Sequence, residues 1–349
     1  MTRPFYLTLS ECPSDLNNLN LPLFPIKTKT KLILVGLLVA VGAIELMGLP
    51  HAKITVHIVD EDGKAIPNAT VAFTFCGAFN AEAMNKMEGN SDINGNFTGE
   101  GRSDGTIGQK ITKDGYYWGW APIPIFYTSK FRMWQPWDQT YTTVLRKVGK
   151  PIPMYARRFL DKIPGGLNEP CGYDLEEADW VAPYGKGKIA DFFITVTHLK
   201  YTDYFNNEMT ATISFPNDGD GIQEIKLPHE FANSKFKWPR TAPETGYQPN
   251  LEVQEIWSRS EHENKMFNTA NGVDGYFLRV RTEEKSGQIV SALYGKIIGG
   301  IGAGAGDKDH NGGVGFTYCL NQTPLDRNLE YSGESLFKNL SNEDYPNAP

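Results

Sequence analysis

Three oxygen-bearing side chains near the C-terminal end have the spacing of a calcium-binding loop. Asp307, Asp309 and Asn311 occupy alternate positions and Gly312 follows them, which matches the first half of an EF-hand-type loop. Calcium prefers several oxygen ligands at one centre. The position where such a loop carries its bidentate glutamate is Tyr318 here. The pattern therefore favours a polar, glycine-rich loop and leaves a calcium site as the alternative; it indicates no other cofactor.

Aromatic side chains crowd between residues 116 and 137. Exposed rings on a β-sandwich can stack on sugars or anchor a protein partner. The alternative is that these rings fill the sandwich core or the seam between domains. Successive residues of a strand face opposite sides, so the rings are not all expected on one surface. The candidate ligand-binding residues are Tyr117, Trp118, Trp120, Trp134 and Trp137.

The sequence lacks the zinc motif of familiar metalloproteases. It contains no His-Glu-x-x-His. A pair of carboxylates can hydrolyse glycosides, but only at a defined separation that sequence does not supply. The acidic residues that could form such a pair are Glu176, Glu177, Asp179, Asp218 and Asp220. A solvated acidic loop is the simpler interpretation, so enzymatic activity is uncertain and a non-catalytic role is favoured.

The composition is that of a globular, strand-rich protein. The 349 residues are enough for two domains, and 40% hydrophobic and 21% charged residues are ordinary values. The 35 glycines and 22 prolines favour turns and strands over helices. The formal net charge of −7 would be repelled by phosphates, so nucleic acid is not expected as a partner.

An apolar stretch near the N-terminus has the character of an export signal. Lys27, Lys29 and Lys31 precede residues 32–49, in which Glu45 is the one charged residue. The continuous apolar part is shorter than the ~20 residues that span a bilayer as a helix. A cleaved signal peptide, an uncleaved signal anchor and a buried core helix remain open. The first two predict an extracytoplasmic protein, either secreted or membrane-anchored with its C-terminal part outside.

Period-2 patterning begins directly after this stretch. Ile54, Val56 and Ile58 alternate with polar residues, and a second alternating run covers 69–73. Between the two runs, Asp-Glu-Asp-Gly is turn chemistry. Asn94-Gly95 is a strong hairpin-turn signal. The sequence therefore predicts an antiparallel β-sandwich.

The order of these pieces resembles the carboxypeptidase regulatory-like domain, a prealbumin- or transthyretin-type, Ig-like β-sandwich, over residues 53–147. The resemblance implies a fold and an extracytoplasmic setting. In that family the domain is an accessory beside a zinc catalytic domain, which would need a His-x-x-Glu pair. No histidine of this chain has a glutamate three residues on, so the chain resembles the accessory part. The downstream half is similar to exported bacterial proteins of unknown function.

The remaining patterns predict a second β-rich, sandwich-like domain. The proline-bearing linker 150–156 separates the second domain from the first. The polar, proline-bearing stretch Pro228–Asn250 is predicted to be a long connection. The glycine-rich run 299–306 lacks the lysine and helix of a phosphate loop and is predicted to be a flexible surface loop. The predicted layout is an N-terminal extension 1–52, the sandwich 53–147, a loop-rich connection 148–189, the second domain 190–330 and a tail 331–349.

Cysteine pairing is left open by the sequence. Cys76, Cys171 and Cys319 follow the apolar stretch, and no pair has Cys-x-x-Cys spacing. Buried free thiols are favoured. A Cys171–Cys319 disulfide is the alternative.

Three functions compete at this stage. The first is an exported, non-catalytic cell-envelope or secreted protein that binds a protein partner or a glycan. The second is a secreted hydrolase of polysaccharide or peptide with a site between the domains. The third is a structural or assembly subunit whose exposed strand edges pair between chains.

Overall fold

The computed structural model describes residues 49–77, 85–120, 126–260, 263–306 and 312–346. These residues form two compact units. Unit 1 contains the described residues up to Val148 together with Glu230–Lys235, and unit 2 contains Gly149–His229 and the described residues from Phe236 onwards. Strands dominate both units, which confirms the mainly β prediction.

Eight strands make up unit 1. They are β1 (His51–Val59), β2 (Thr70–Phe75), β3 (Asn85–Asn90), β4 (Asn96–Arg102), β5 (Ile107–Thr112), β6 (Thr128–Lys130), β7 (Met133–Gln135) and β8 (Gln139–Val144).

Unit 1 is a sandwich of two sheets. One sheet has the order β4-β1-β7-β6, with β8 also pairing with β1, and the other has the order β3-β2-β5. Alternate residues of β1 and β2, such as Ile54, Ile58, Val71 and Phe73, are fully buried in one shared core. Burying each such side chain contributes roughly 1.5–3 kcal/mol. The alternation read from the sequence therefore identifies the inner faces correctly.

The Asn94-Gly95 turn forms, but it does not join a hairpin. Gly95 has a φ of 77° and its N–H donates to the Asp92 carbonyl oxygen at 3.0 Å. The Asp92 carboxylate also accepts from the backbone N–H groups of Asn94 and Asn96 at 2.9 and 2.7 Å. However, β3 pairs with β2 and β4 pairs with β1. The turn therefore passes the chain from one sheet to the other.

Unit 2 contains twelve strands. They are β9 (Ile152–Lys162), β10 (Pro170–Asp174), β11 (Asp179–Trp180), β12 (Phe192–Asp203), β13 (Asn206–Ser214), β14 (Gly221–Ile225), β15 (Asn250–Arg259), β16 (Asn264–Asn268), β17 (Gly275–Lys285), β18 (Gln288–Gly304), β19 (Gly313–Leu320) and β20 (Tyr331–Ser335).

Two six-stranded sheets build unit 2. Their orders are β11-β10-β12-β13-β15-β16 and β14-β17-β18-β19-β9-β20. Aromatic side chains such as Phe159, Tyr173 and Phe316 join aliphatic ones in the shared core. β17 and β18 pair as a hairpin around Ser286 and Gly287.

Three stretches of unit 2 differ from the sequence prediction. The range 148–189, predicted as a loop-rich connection, carries β9, β10 and β11, and the predicted tail begins with β20. The glycine-rich run is the end of β18 and not a loop, because its residues pair with β19 and its intervening Ile301 and Ala303 are buried. Pairing partners far away in sequence outweigh the local signals of glycine and proline.

All three cysteines of the described residues are free and buried, which confirms the favoured interpretation and excludes the alternative Cys171–Cys319 disulfide. Burial raises the pKa of the Cys319 thiol to about 11, although the nearby Lys296 opposes the shift. A helix of the length and hydrophobicity needed to cross a bilayer does not occur among the described residues.

Candidate functional site

Trp118 is held in place by backbone pairing on both sides of its neighbour Gly119. Gly119 exchanges two hydrogen bonds with Ile111 at the end of β5, of 2.8 and 2.9 Å. On its other side Gly119 forms a β-bridge with Ser234. The Trp118 carbonyl oxygen accepts from Lys235 N at 2.9 Å. The indole is thus attached to the three-stranded sheet by main-chain contacts that fix its position.

A glycine is required between the two tryptophans. A Cβ atom at Gly119 would lie 2.8 Å from the Asn233 carbonyl oxygen and 2.9 Å from a methyl carbon of Leu145. Distances below 3.0 Å are closer than real Cβ contacts, so any side chain would push one neighbouring segment away. The glycine of Trp-Gly-Trp therefore lets this segment lie between two others, with Ile111 on one side and Ser234 on the other.

A depression of about 310 Å³ opens beside Trp118. Thr70 and Thr112 are directly paired across β2 and β5, and their neighbours Val71 and Ile111 are buried, so both threonines face away from the core. The depression is lined by Asn68, Thr70, Thr112, Lys113, Asp114, Tyr116 and Trp118. Two aromatic rings are therefore surrounded by hydroxyl, amide, ammonium and carboxylate groups.

Cationic groups cluster around the Trp118 ring. The ammonium nitrogens of Lys110 and Lys235 lie 5.9 and 5.8 Å from its centroid. Both distances fall within the range in which a cation is attracted to an aromatic face. Lys113 is the one ammonium of the lining itself and donates to the Asn68 carbonyl oxygen at 3.2 Å. Asp114 is the one carboxylate of the lining, so the positive charge beyond this pair comes from Lys110 and Lys235 beside the Trp118 ring.

The five predicted aromatic residues do not form a single platform. Trp120 stands next to Trp118, with ring centroids 5.5 Å apart. Tyr117 is half-buried and its backbone N–H donates to the Arg146 carbonyl oxygen. Trp134 packs against the core and its indole N–H donates to the Ser103 carbonyl oxygen at 2.8 Å. Neither Trp134 nor Trp137 lines the depression.

The sequence reasoning missed most of the polar lining. Asn68 and Thr70 lie in one segment and Thr112 in another, and only strand pairing brings the two segments together. Thr70 alternates with the inward-facing Val71, so the sequence pattern could have predicted that Thr70 faces outward. The predicted calcium ligands Asp307, Asp309 and Asn311 lie outside the described residues. Within the described ranges, no group of three His, Cys, Asp or Glu side chains is arranged to hold a metal ion.

Arg281 of unit 2 binds Glu176, one of the acidic residues considered for catalysis, together with Asp174 and Asp191. The Arg281 guanidinium donates to Asp174 at 2.9 Å and to both oxygens of Asp191 at 2.8 and 3.1 Å. It also pairs with Glu176. Asp220 accepts from the backbone N–H groups of Arg281 and Thr282 at 3.1 and 2.8 Å. This arrangement neutralises and orients the carboxylates.

The pKa values of two carboxylates that Arg281 binds, Asp191 and Asp174, are shifted in opposite directions. Burial raises the pKa of Asp191 to about 6, although hydrogen bonds and charge from Arg281 oppose the shift. Burial would also raise the pKa of Asp174, but backbone N–H donors, including those of Lys188 and Ile189, outweigh it. The pKa of Asp174 therefore lies below its ordinary value. Both residues are equally buried, and the difference lies in the backbone N–H donors, since Asp174 accepts from several and Asp191 from that of Leu175.

Unit 2 also has a larger open depression of about 680 Å³. Its charged groups are engaged with the protein itself. Glu330 accepts from Gly149 N, Lys150 N and the Arg240 guanidinium, and Arg327 donates to Ala242 and Glu244. The depression lacks an aromatic surface. It is lined by Gly149, Lys150, Ile152, Arg240, Thr241, Asp326, Arg327, Asn328 and Glu330.

No protein-family profile and no curated protein matches the chain. Among solved structures, BcpA, the major pilin subunit of Bacillus cereus, aligns at 12% identity over 77% of this chain and 67% of its own, with a TM-score of 0.20. The shaft pilin SpaA from Lactobacillus rhamnosus GG, as a double mutant, aligns at 12% identity over 49% of this chain and 90% of its own, with a TM-score of 0.15. Superpositions at this level do not define a shared fold, so the architecture rests on the strand pairing above.

Proposed function

We propose that the protein is an exported, non-catalytic binding protein that recognises a glycan at the Trp118 depression. The observation that supports this most directly is that the Trp118 indole lies among polar side chains in one depression. The C–H face of a sugar packs on an indole, and its hydroxyls need both donors and acceptors. Asn68, Thr70, Thr112 and Asp114 supply them. The volume lies at the lower end of small-ligand sites, which run from about 300 to 1,000 Å³.

The lysines near Trp118 favour a glycan that carries negative charge. Lys110 and Lys235 lie beside the Trp118 ring, Lys113 lines the depression, and Asp114 is the one carboxylate of the lining. A uronic acid or a sulfated sugar would place its anionic group among these ammonium ions. The setting at the cell envelope follows from the export-like segment at 32–49 and from the carboxypeptidase regulatory-like resemblance, both of which remain proposals.

Calorimetric titration with a uronic acid tetrasaccharide tests the proposal. Trp118→Ala should weaken binding at least about tenfold, equivalent to about 1.4 kcal/mol, because it removes the stacking surface. Trp118→Phe should retain most of the affinity. Tyr127→Ala is the control, since Tyr127 is an exposed aromatic of the same unit outside the lining. Binding that is equal in wild type and Trp118→Ala would remove this site from consideration.

A second function, assembly between chains, is favoured by a separate observation. β16 lies at the end of its sheet and pairs with β15. Its Met266 and Phe267 are 56% and 50% exposed, which is unusual for an edge strand. Light scattering should then show self-association in wild type that Met266→Lys with Phe267→Lys abolishes. A monomer at high concentration would contradict assembly through this edge.

The hydrolase alternative has less support. Among its proposed carboxylates, Glu176 and Asp220 are bound by Arg281 or by backbone N–H groups. A general acid and a nucleophile must instead face a substrate.

A further inference from the structure

The hairpin of β6 and β7 has a turn that its residues do not suit. The two residues between the strands, Phe131 and Arg132, have φ values of 52° and 58°. A two-residue turn with both central φ values positive is normally built from Asn-Gly, because other side chains crowd the backbone there. A bulky aromatic in this conformation is an outlier. Such strain is found where function needs the residue.

The strained residue is also the one most fully presented to solvent. Phe131 is 94% exposed, the highest value among the large apolar side chains of the described residues. An apolar ring held away from the protein gains nothing for folding. The Phe131 ring is therefore accessible to an apolar environment outside the protein.

The tip lies beside the chain that leaves the apolar N-terminal stretch. His51 N donates to the Arg132 carbonyl oxygen at 2.7 Å, and His51 is paired with Met133. The apolar stretch over 32–49 ends two residues before His51. A bilayer that received this stretch would therefore meet the protein next to Phe131.

The charges at this end suit an anionic surface. Lys130 and Arg132 flank the ring in sequence. Arg102 is paired with His51 and donates to the Leu49 carbonyl oxygen at 3.4 Å. Asp104, the carboxylate of the adjoining turn, accepts from Thr106 N. Aromatic rings flanked by Lys and Arg are typical of segments that lie at a membrane interface.

We propose that the β6–β7 tip contacts an anionic lipid bilayer, with Phe131 entering the interface and Lys130 and Arg132 meeting lipid phosphates. This contact is separate from the glycan site. A convex tip with a single ring suits a deformable lipid surface, whereas anchors in protein interfaces cluster in preformed pockets. Each cation held near such a surface contributes about fivefold in affinity.

Depth-dependent quenching tests the contact. The full chain with Cys12→Ser is placed in nanodiscs of phosphatidylglycerol and phosphatidylcholine, with a fluorophore on Ser129→Cys and nitroxide lipid as the quencher. The other cysteines are buried and escape labelling. The matched control carries the fluorophore at Ile93→Cys, because Ile93 is 78% exposed in a turn next to Asn96, at the opposite end of β1. Quenching should be about threefold greater at residue 129, and weaker in pure phosphatidylcholine.

Substitutions at the tip separate membrane contact from folding. Phe131→Asn should reduce quenching at residue 129 to the control level while leaving the unfolding temperature equal or higher, since asparagine tolerates this conformation. Phe131→Leu should preserve the quenching. Quenching at residue 129 that does not exceed that at residue 93, or that survives Phe131→Asn, would overturn the proposal.

Discussion

The Trp118 depression of unit 1 and the Arg281 cluster of unit 2 both gather polar side chains from distant segments, but they use them differently. In the cluster, one guanidinium binds Asp174, Glu176 and Asp191, so the charges are paired inside the protein. In the depression, the side chains of Thr70 and Thr112 point away from the core and line a surface recess beside the Trp118 indole. The difference shows that acidic residues grouped in sequence can be paired internally by the fold, which their spacing along the chain does not reveal.

The largest effect is expected from removing the arginine of the cluster. Arg281→Met leaves Asp174 and Asp191 buried without their cation, which should cost about 3–5 kcal/mol in the free energy of unfolding. Urea denaturation measures this loss. Lys188→Ala is the control, because its pair with Glu177 is exposed and should contribute nothing measurable. A loss equal to that of the control would mean that the cluster is not structural.

The pH dependence of stability should report Asp191. Its pKa is raised from 3.8 to about 6 in the folded protein, so the native state holds this proton more tightly than the unfolded chain. The associated stability is full below about pH 4 and is lost as pH rises through 6, by about 1–3 kcal/mol. Asp174 acts in the opposite direction, because its pKa is lowered.

Asp191→Asn isolates this contribution. The difference in unfolding free energy between wild type and variant should change between pH 4 and 6 and stay flat from pH 7 to 8. A difference that does not depend on pH would show that Asp191 titrates normally.

The depression should depend on the space at Gly119. Gly119→Ala forces a Cβ against Asn233 and Leu145, which should cost about 1–3 kcal/mol and displace Trp118. Both the affinity for the glycan and the free energy of unfolding should therefore decrease. Gly108→Ala, on β5 of the same sheet, meets Thr74 at an ordinary 3.5 Å and should leave binding unchanged. Equal binding by both variants would show that Trp118 does not need this pairing.

The smallest effect is expected from a single lysine. Lys110→Gln should weaken binding of the acidic tetrasaccharide roughly threefold at low ionic strength, and the difference should fade as salt screens the charge. Lys86→Gln is the control, because Lys86 pairs with Thr74, four residues along β2 from Thr70. A neutral tetrasaccharide that binds equally well would contradict the acidic preference.

Local patterns predicted the inner faces of the strands well. The alternation at Ile54, Val56 and Ile58 identified β1. Such features repeat within a few residues, so the sequence contains all the information they need. The Asn94-Gly95 turn shows the limit of this reasoning, since the turn formed while the hairpin did not.

Strands defined by distant partners were missed. β15 and β16 were not predicted, and β18 extends through glycines that resemble a loop in sequence. Pairing across a sheet satisfies backbone groups whatever the local propensity, so a glycine-rich segment becomes a strand when its neighbours require one.

By itself, the sequence determined that the chain is mainly β, which residues of the clearest strands turn inward, and that Trp118 and Trp120 are candidates for binding. These properties depend on side-chain type and spacing along a few residues. Only the tertiary structure decided that Trp118 meets Asn68, Thr70 and Thr112 in one depression, that Arg281 binds the acidic residues, and that Phe131 stands exposed beside His51. Each of these depends on strand pairing between remote segments, whose choice is set by the burial of the whole core and not by any local pattern.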